Sequence, residues 1–240
     1  MGRPGPAAGF GLESAAAPPA PARTAAFASR PESCLCGEWE QKPVTRLLSA
    51  GPFDSRPSEG GPPPSGQDVP DYLRPGLKLV IVGINPGLRS GASGHHYAYP
   101  GNHFWPLLHA SGLIPEPLSY AEDHRVLEFG IGLTNLCDRT THEASDLTPE
   151  ELALGAEALR AKLLLYQPKV TCFNGIGIYE AFAGRKKVAP GPQPERLGET
   201  LLYVVPSSSG RTAAYPRQRK LEYFRRLKEL VDAVTAGAAV

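Results

Sequence analysis

The sequence predicts an α/β fold: a three-layer αβα sandwich around a central, mostly parallel sheet of four to five strands. Three observations carry this. Short apolar runs rich in β-branched residues recur at 78–83, 131–137, 169–174 and 200–205, and read as buried strands. Helical segments alternate with them, the pattern of a parallel sheet covered on both faces. The runs lead into polar residues: Asn85, Asn135, Asn174, and Ser207 through Arg211. Parallel strands bring such ends to one rim, and in open α/β sheets that rim binds ligands.

Residues 1–66 are crowded with Pro, Gly, Ala and Ser and lack an apolar period. They are expected to form a disordered tail, leaving 67–235 as the folded domain. Arg3, Arg23 and Arg30, with few acids nearby, are also compatible with a mitochondrial transit peptide.

The first strand runs into Gly83-Ile84-Asn85-Pro86-Gly87. The glycines permit a sharp turn, and Pro86 ends the strand and biases Asn85 toward an extended backbone. A glycine-rich loop comes next, carrying His95, His96, Tyr97, Tyr99, Asn102 and His103. Phe104, Leu107, Leu108 and Ser111 then recur at helical spacing, and 121–129 reads as a second short helix. Thr148-Pro149-Glu150-Glu151 is a helix start with a Thr cap, Pro at the first position and Glu at the third. That helix runs to about Tyr166 and stops before Pro168. Ile178–Phe182 reads as a short helix and 184–196 as a basic, proline-containing loop. Pro216 opens a last helix, from Arg217 to about Val234.

The formal net charge is +1, so no global field points to a partner. The cationic side chains are concentrated late: Arg211, Arg217, Arg219, Lys220, Arg225, Arg226 and Lys228 stand against Glu222 alone, a plausible track for phosphates. Cys137 and Cys172 lie in apolar runs and read as buried thiols, and Cys34-x-Cys36 lacks partners at zinc spacing. His95, His96 and His103 are not spaced as metal ligands, and no metal or cofactor is expected. No apolar stretch reaches the length of a membrane span, so no membrane association is expected. There is no nucleophile elbow, no phosphate-binding glycine loop ending in Lys-Ser/Thr, and no HExxH. A rim of amides, hydroxyls, histidines, a tyrosine and an arginine suits gripping a base edge and orienting a water.

GINPG followed by GHHY and PGNHFW, then GIGLTNLCDRTT at 130–141, YQPKVTCFNG at 166–175 and VPSSSGR at 205–211, resembles the mismatch-specific uracil and thymine-DNA glycosylases. These are a branch of the uracil-DNA glycosylase superfamily, and the resemblance spans roughly 70–230. It implies that fold and a monofunctional DNA glycosylase of base excision repair. Such an enzyme flips a base from a G·U or G·T mismatch and hydrolyses its N-glycosidic bond. The substrate would be uracil, with thymine or oxidised 5-methylcytosine as further candidates. The implied partner is mismatched duplex DNA and the implied compartment the nucleus, with mitochondria left open; a monomer is expected. The alternative is a catalytically weak, mismatch-sensing DNA-binding protein on the same fold.

By the same resemblance Asn85 positions the attacking water. An amide is a poor general base, so bond breaking would lean on stabilising the departing base, by groups near Ile84 and His96. Tyr97 would stack on the flipped base, Asn135 would contact its edge or support the pocket, and Ser90 would face its 5-position. Thr141 is expected among the base-binding residues. Asn174 and Gly175 are expected on the DNA backbone. Ser207, Ser208 and Ser209 would pinch phosphates, and Gly210 and Arg211 would continue into the duplex, with Arg211 filling the vacated stack. The chain departs from the family pattern at Ala98-Tyr99, at Ser90-Gly91 in place of paired alanines, and at His142 in place of proline. These changes leave uracil activity expected and put thymine activity in doubt.

Overall fold

A computed structural model describes residues 69–237 and the first two residues of the chain. The expected tail and Cys34-x-Cys36 therefore lie outside the described residues, apart from Met1 and Gly2.

Five strands form one sheet: β1 (Leu79–Gly83), β2 (Ile131–Asn135), β3 (Val170–Asn174), β4 (Gly191–Leu197) and β5 (Thr200–Val205), in the order β2-β1-β3-β5-β4. All neighbours are parallel except β4, which runs antiparallel to β5. The helices are α1 (Leu88–Ser93), α2 (Phe104–Ala110), α3 (Pro149–Tyr166), α4 (Ile176–Ala183) and α5 (Arg217–Thr235), with a 3-10 helix at Tyr120–Phe129. No helix among the described residues is long and apolar enough to cross a membrane.

Side-chain alternation makes the three layers. Leu79, Ile81, Leu133, Cys172 and Tyr203 face one core with Leu107 and Leu108 of α2 and Phe224 and Leu227 of α5. Val80, Val82, Phe173, Leu202 and Val204 face the other, with Leu159 and Leu163 of α3 and Ile178 and Phe182 of α4. The Thr148 hydroxyl accepts from the Glu151 N–H while the Glu151 carboxylate accepts from the Thr148 N–H, so α3 starts on the expected reciprocal cap.

The structure corrects the reading of 184–196 as loop only. Gly191–Leu197 is an edge strand with a register irregularity between Pro192 and Arg196, and two prolines hide its signal. Proline is tolerated there because an edge strand has a side without ladder bonds. The loop after β1 also holds a short helix, α1, that its glycines conceal.

Chain connections diverge at the centre of the sheet. From β1 the chain passes to β2 on one side, and from β3 it passes toward β5 on the other. A crevice therefore opens at the carboxyl ends of β1 and β3, between Asn85 and Asn174.

Candidate active site

That crevice is a cavity of about 810 Å³. Gly83, Ile84 and Asn85 from the end of β1, Ser90, His96 and Tyr97 from the adjoining loop, and Asn135 from β2 all line it. Thr141, Asn174, Gly175, Ser207, Ser208, Ser209 and Arg211 line it too. Of the residues to which the resemblance assigns catalytic, base-binding or DNA-binding roles, only Gly210 is outside the lining, and it sits between Ser209 and Arg211.

Asn85 is fixed by one side of its amide. Its Nδ2 donates to the Arg139 carbonyl at 2.8 Å and to the Thr141 hydroxyl at 2.7 Å, with a longer contact to the Pro86 carbonyl. The Thr141 hydroxyl gives its own proton to the Glu143 carbonyl at 2.6 Å, so toward Asn85 it can only accept. A carbonyl and a committed hydroxyl thus determine which end of the amide is nitrogen. The Asn85 Oδ1 has no protein donor among the described residues. Thr141, expected at the base, is buried and serves as a clamp on Asn85.

The clamp is braced from α3. The Arg139 guanidinium binds the Glu151 carboxylate through Nε at 2.5 Å and Nη2 at 3.0 Å, and donates to the Asp146 carbonyl at 2.7 Å. The Arg139 guanidinium holds the Glu151 carboxyl well below its ordinary range, at about 2, assisted by the Thr148 N–H. Cap, ion pair and Asn85 therefore form one chain of contacts. Arg139 acts on Asn85 through its backbone carbonyl, and no side-chain pattern announces that.

Tyr97 stacks on Phe104, with ring centroids 3.7 Å apart and planes 20° from parallel. Its hydroxyl is buried without a hydrogen bond, and burial raises its pKa. Gly83 makes this possible: a Cβ there would collide with Asn135 Oδ1 and stand 3.2 Å from the Tyr97 hydroxyl. Asn135 is largely buried, and its side-chain amide has no protein partner among the described residues.

His96 lines the cavity, and its hydrogen bonds go to the surrounding protein. Its Nε2 donates to the Pro70 carbonyl at 2.9 Å, its N–H goes to Asp123, and its carbonyl accepts from Trp105 Nε1. Burial lowers its pKa, and a neutral ring with the proton on Nε2 fits that bond. The Ser90 hydroxyl accepts from the Ala98 N–H at 3.1 Å. Gly91 packs so closely on Thr140 that a Cβ would collide with it, and it does not line the cavity.

Asn174 and Ser208, expected on phosphate, are buried and bonded to each other. Asn174 Nδ2 donates to Ser208 Oγ at 2.9 Å, and the Ser208 N–H donates to Asn174 Oδ1 at 3.0 Å. Ser208 Oγ then donates to Asn102 Oδ1 at 2.7 Å, and the His103 N–H donates to the Ser208 carbonyl. This network clips the loops after β1, β3 and β5 together, leaving Ser207 and Ser209 partly exposed. Gly210 is obligatory in the clip, because a Cβ would stand 2.5 Å from the Gly101 carbonyl.

Beneath the serine loop lies Lys220, 1% exposed, donating to the Ser209 carbonyl at 2.6 Å. Burial lowers its pKa, and no carboxylate pairs with it among the described residues. Its spacing with Phe224, Leu227 and Val231 puts it on the buried face of α5, a signal visible in the sequence but masked by the surrounding cations. Arg211 is exposed and lies 3.3 Å from the Glu143 carboxylate, across the cavity mouth.

Known proteins resemble this chain over the same region. A family model described as the uracil DNA glycosylase superfamily matches residues 70–231. A protein of Schizosaccharomyces pombe described as a G/U mismatch-specific uracil DNA glycosylase is 37% identical over 176 residues, which is 69% of this chain and 54% of the relative. The chain thus spans about half the length of that curated relative. On the family match, over the sheet and every cavity residue from Asn85 to Arg211, the chain belongs to the uracil DNA glycosylase superfamily.

Proposed function

We propose that this protein hydrolyses the N-glycosidic bond of uracil in G·U-mismatched duplex DNA and leaves an abasic site. The observation that carries this reading is the clamped Asn85 amide, with its nitrogen committed to Arg139 and Thr141 and its Oδ1 left to accept a hydrogen bond. Similarity to a relative named for G/U mismatch specificity supports the choice of substrate.

The groups present set the course of the reaction. The base leaves the stack, at a cost of a few kcal/mol, and enters the cavity. Tyr97, backed by Phe104, takes its face. The unpaired Asn135 amide offers two donors and an acceptor to its edge. The bond from C1′ to the base nitrogen breaks first, and its electron pair leaves with the base. Donors at the edge stabilise that developing anion. Asn85 Oδ1 orients a water toward C1′; the water oxygen bonds to carbon and its proton passes to solvent or to the departing base. Since an amide holds a water without deprotonating it, the rate depends on how well the leaving group is stabilised.

Uracil is preferred to thymine in this scheme. Ser90 lines the cavity where the resemblance sets small apolar residues against the 5-position, and a serine there makes the surroundings of a 5-methyl group more polar. Arg211 at the cavity mouth enters the duplex once the base has left.

The test is base release from matched duplexes carrying G·U, A·U, G·T or no partner strand. The expected result is alkali-labile sites from G·U well ahead of G·T. Tight mismatch binding without base release would overturn the reading and make the protein a mismatch sensor.

A further inference from the structure

Asp123 is a fully buried carboxylate with no part in the excision chemistry. It projects from the 3-10 helix and collects three donors: the Tyr72 hydroxyl at 2.9 Å, His95 Nδ1 at 3.0 Å and the His96 N–H at 2.8 Å. No lysine or arginine pairs with it among the described residues. None of Asp123, Tyr72 and His95 lines the cavity.

Two of the three donors belong to the residues immediately before Tyr97. Tyr97 has φ +53°, a left-handed backbone that bulky residues adopt only when their surroundings impose it. The N–H before it is held by Asp123, and the N–H after it, that of Ala98, is held by Ser90 Oγ. Tyr97 is thus gripped on both sides by side chains from outside its own turn. Tyr72 extends the grip to the sheet, because its backbone pairs in both directions with Leu133 of β2.

We infer that Asp123 is a positioning residue for Tyr97: its carboxylate fixes the His95–His96 backbone so that the Tyr97 ring lies on Phe104 and offers its face to the base. The inference rests on the reading of Tyr97 as the stack for the flipped base.

Two variants test it, Asp123→Ala and Asp123→Asn; the second keeps an acceptor for the His96 N–H and carries the same readouts should the first fail to fold. The full chain is labelled with 3-fluorotyrosine, and the Tyr97 resonance is assigned by its loss in Tyr97→Phe. Asp123→Ala is expected to move that resonance and to lower single-turnover uracil excision about ten- to a hundredfold, the range that small misplacements produce. Affinity for abasic product DNA should stay within about twofold, because phosphate contacts dominate it. Asp123→Asn should recover part of the loss. In a Tyr97→Ala background Asp123→Ala should cost nothing further, since residues acting through one another are not additive.

An unmoved Tyr97 resonance, or an equal loss in both backgrounds, overturns the inference. A moved resonance with Tyr97→Ala still cutting at the wild-type rate leaves Asp123 as the holder of the ring and refutes the stacking reading instead.

Discussion

Asn85 and Thr141 are joined by a 2.7 Å hydrogen bond in which the amide nitrogen donates and the hydroxyl accepts. The direction is forced, because the Thr141 proton is already given to the Glu143 carbonyl. A threonine distant in sequence thus helps decide that the oxygen of Asn85, not its nitrogen, is left without a protein partner among the described residues.

Thr141→Val removes that acceptor at nearly constant volume. The Asn85 amide then keeps the Arg139 carbonyl as its one strong partner and is held less firmly. A lost hydrogen bond of this kind is worth about 1 kcal/mol, so single-turnover excision should fall roughly five- to tenfold. Thr141→Ser should stay near wild type. Equal rates for the Val and Ser variants would show that the clamp is idle.

Glu151 braces the clamp from a distance. Its carboxyl lies at about 2, below the ordinary 4.5, so its contribution to stability is complete above about pH 4.5 and is lost as pH falls through about 2. Urea midpoints of wild type and Glu151→Gln should therefore differ by a constant amount above about pH 5 and converge toward about pH 2. At neutral pH the Gln variant should excise uracil several-fold more slowly. A gap that widens in acid contradicts the assignment.

Much of the fold is legible in the sequence, and the remainder has a common cause. Strands β1, β2, β3 and β5 announce themselves because β-branched residues in a doubly covered sheet make continuous apolar runs. β4 does not, because Pro192 and Pro194 are admissible only at an edge. In the site, the sequence points to Asn85, Tyr97 and Asn135 as polar or aromatic residues near strand ends. It does not separate them from Asn174 and Ser208, which are equally polar and occupy similar positions but bind each other. That distinction depends on which loops meet, and loop contacts are set by tertiary packing. Asp123 and the Arg139 carbonyl are invisible in the sequence for the same reason.

Lys220 makes a double prediction. An unpaired buried cation is costly, so Lys220→Met should leave the melting temperature unchanged or raise it. The Ser209 carbonyl then loses its anchor, and the Gly210–Arg211 turn its support. Affinity for mismatched duplex should drop several-fold while the salt dependence stays close to that of wild type, since Lys220 touches no phosphate itself. A less stable protein with unchanged affinity would contradict this.

Arg211 rests on Glu143 through an exposed pair, which contributes little to stability. Glu143→Gln should therefore leave melting unchanged and increase duplex affinity modestly at low salt, since a carboxylate is removed beside the DNA path. Arg211→Ala should slow excision from G·U duplex more than from single-stranded uracil, where no stack needs filling. An equal loss on both substrates would leave Arg211 with charge attraction alone.

The central claim is that Asn85 orients the attacking water and that its loss separates chemistry from binding. Asn85→Ala leaves no core cavity, because Asn85 sits in a turn at the cavity rim. Single-turnover excision of uracil and affinity for G·U duplex should be measured on one preparation. The prediction is a loss of about two to three powers of ten in excision, the usual effect of removing one such polar group, with affinity near wild type. Excision within a few-fold of wild type would make Asn85 a structural turn residue and refute the mechanism.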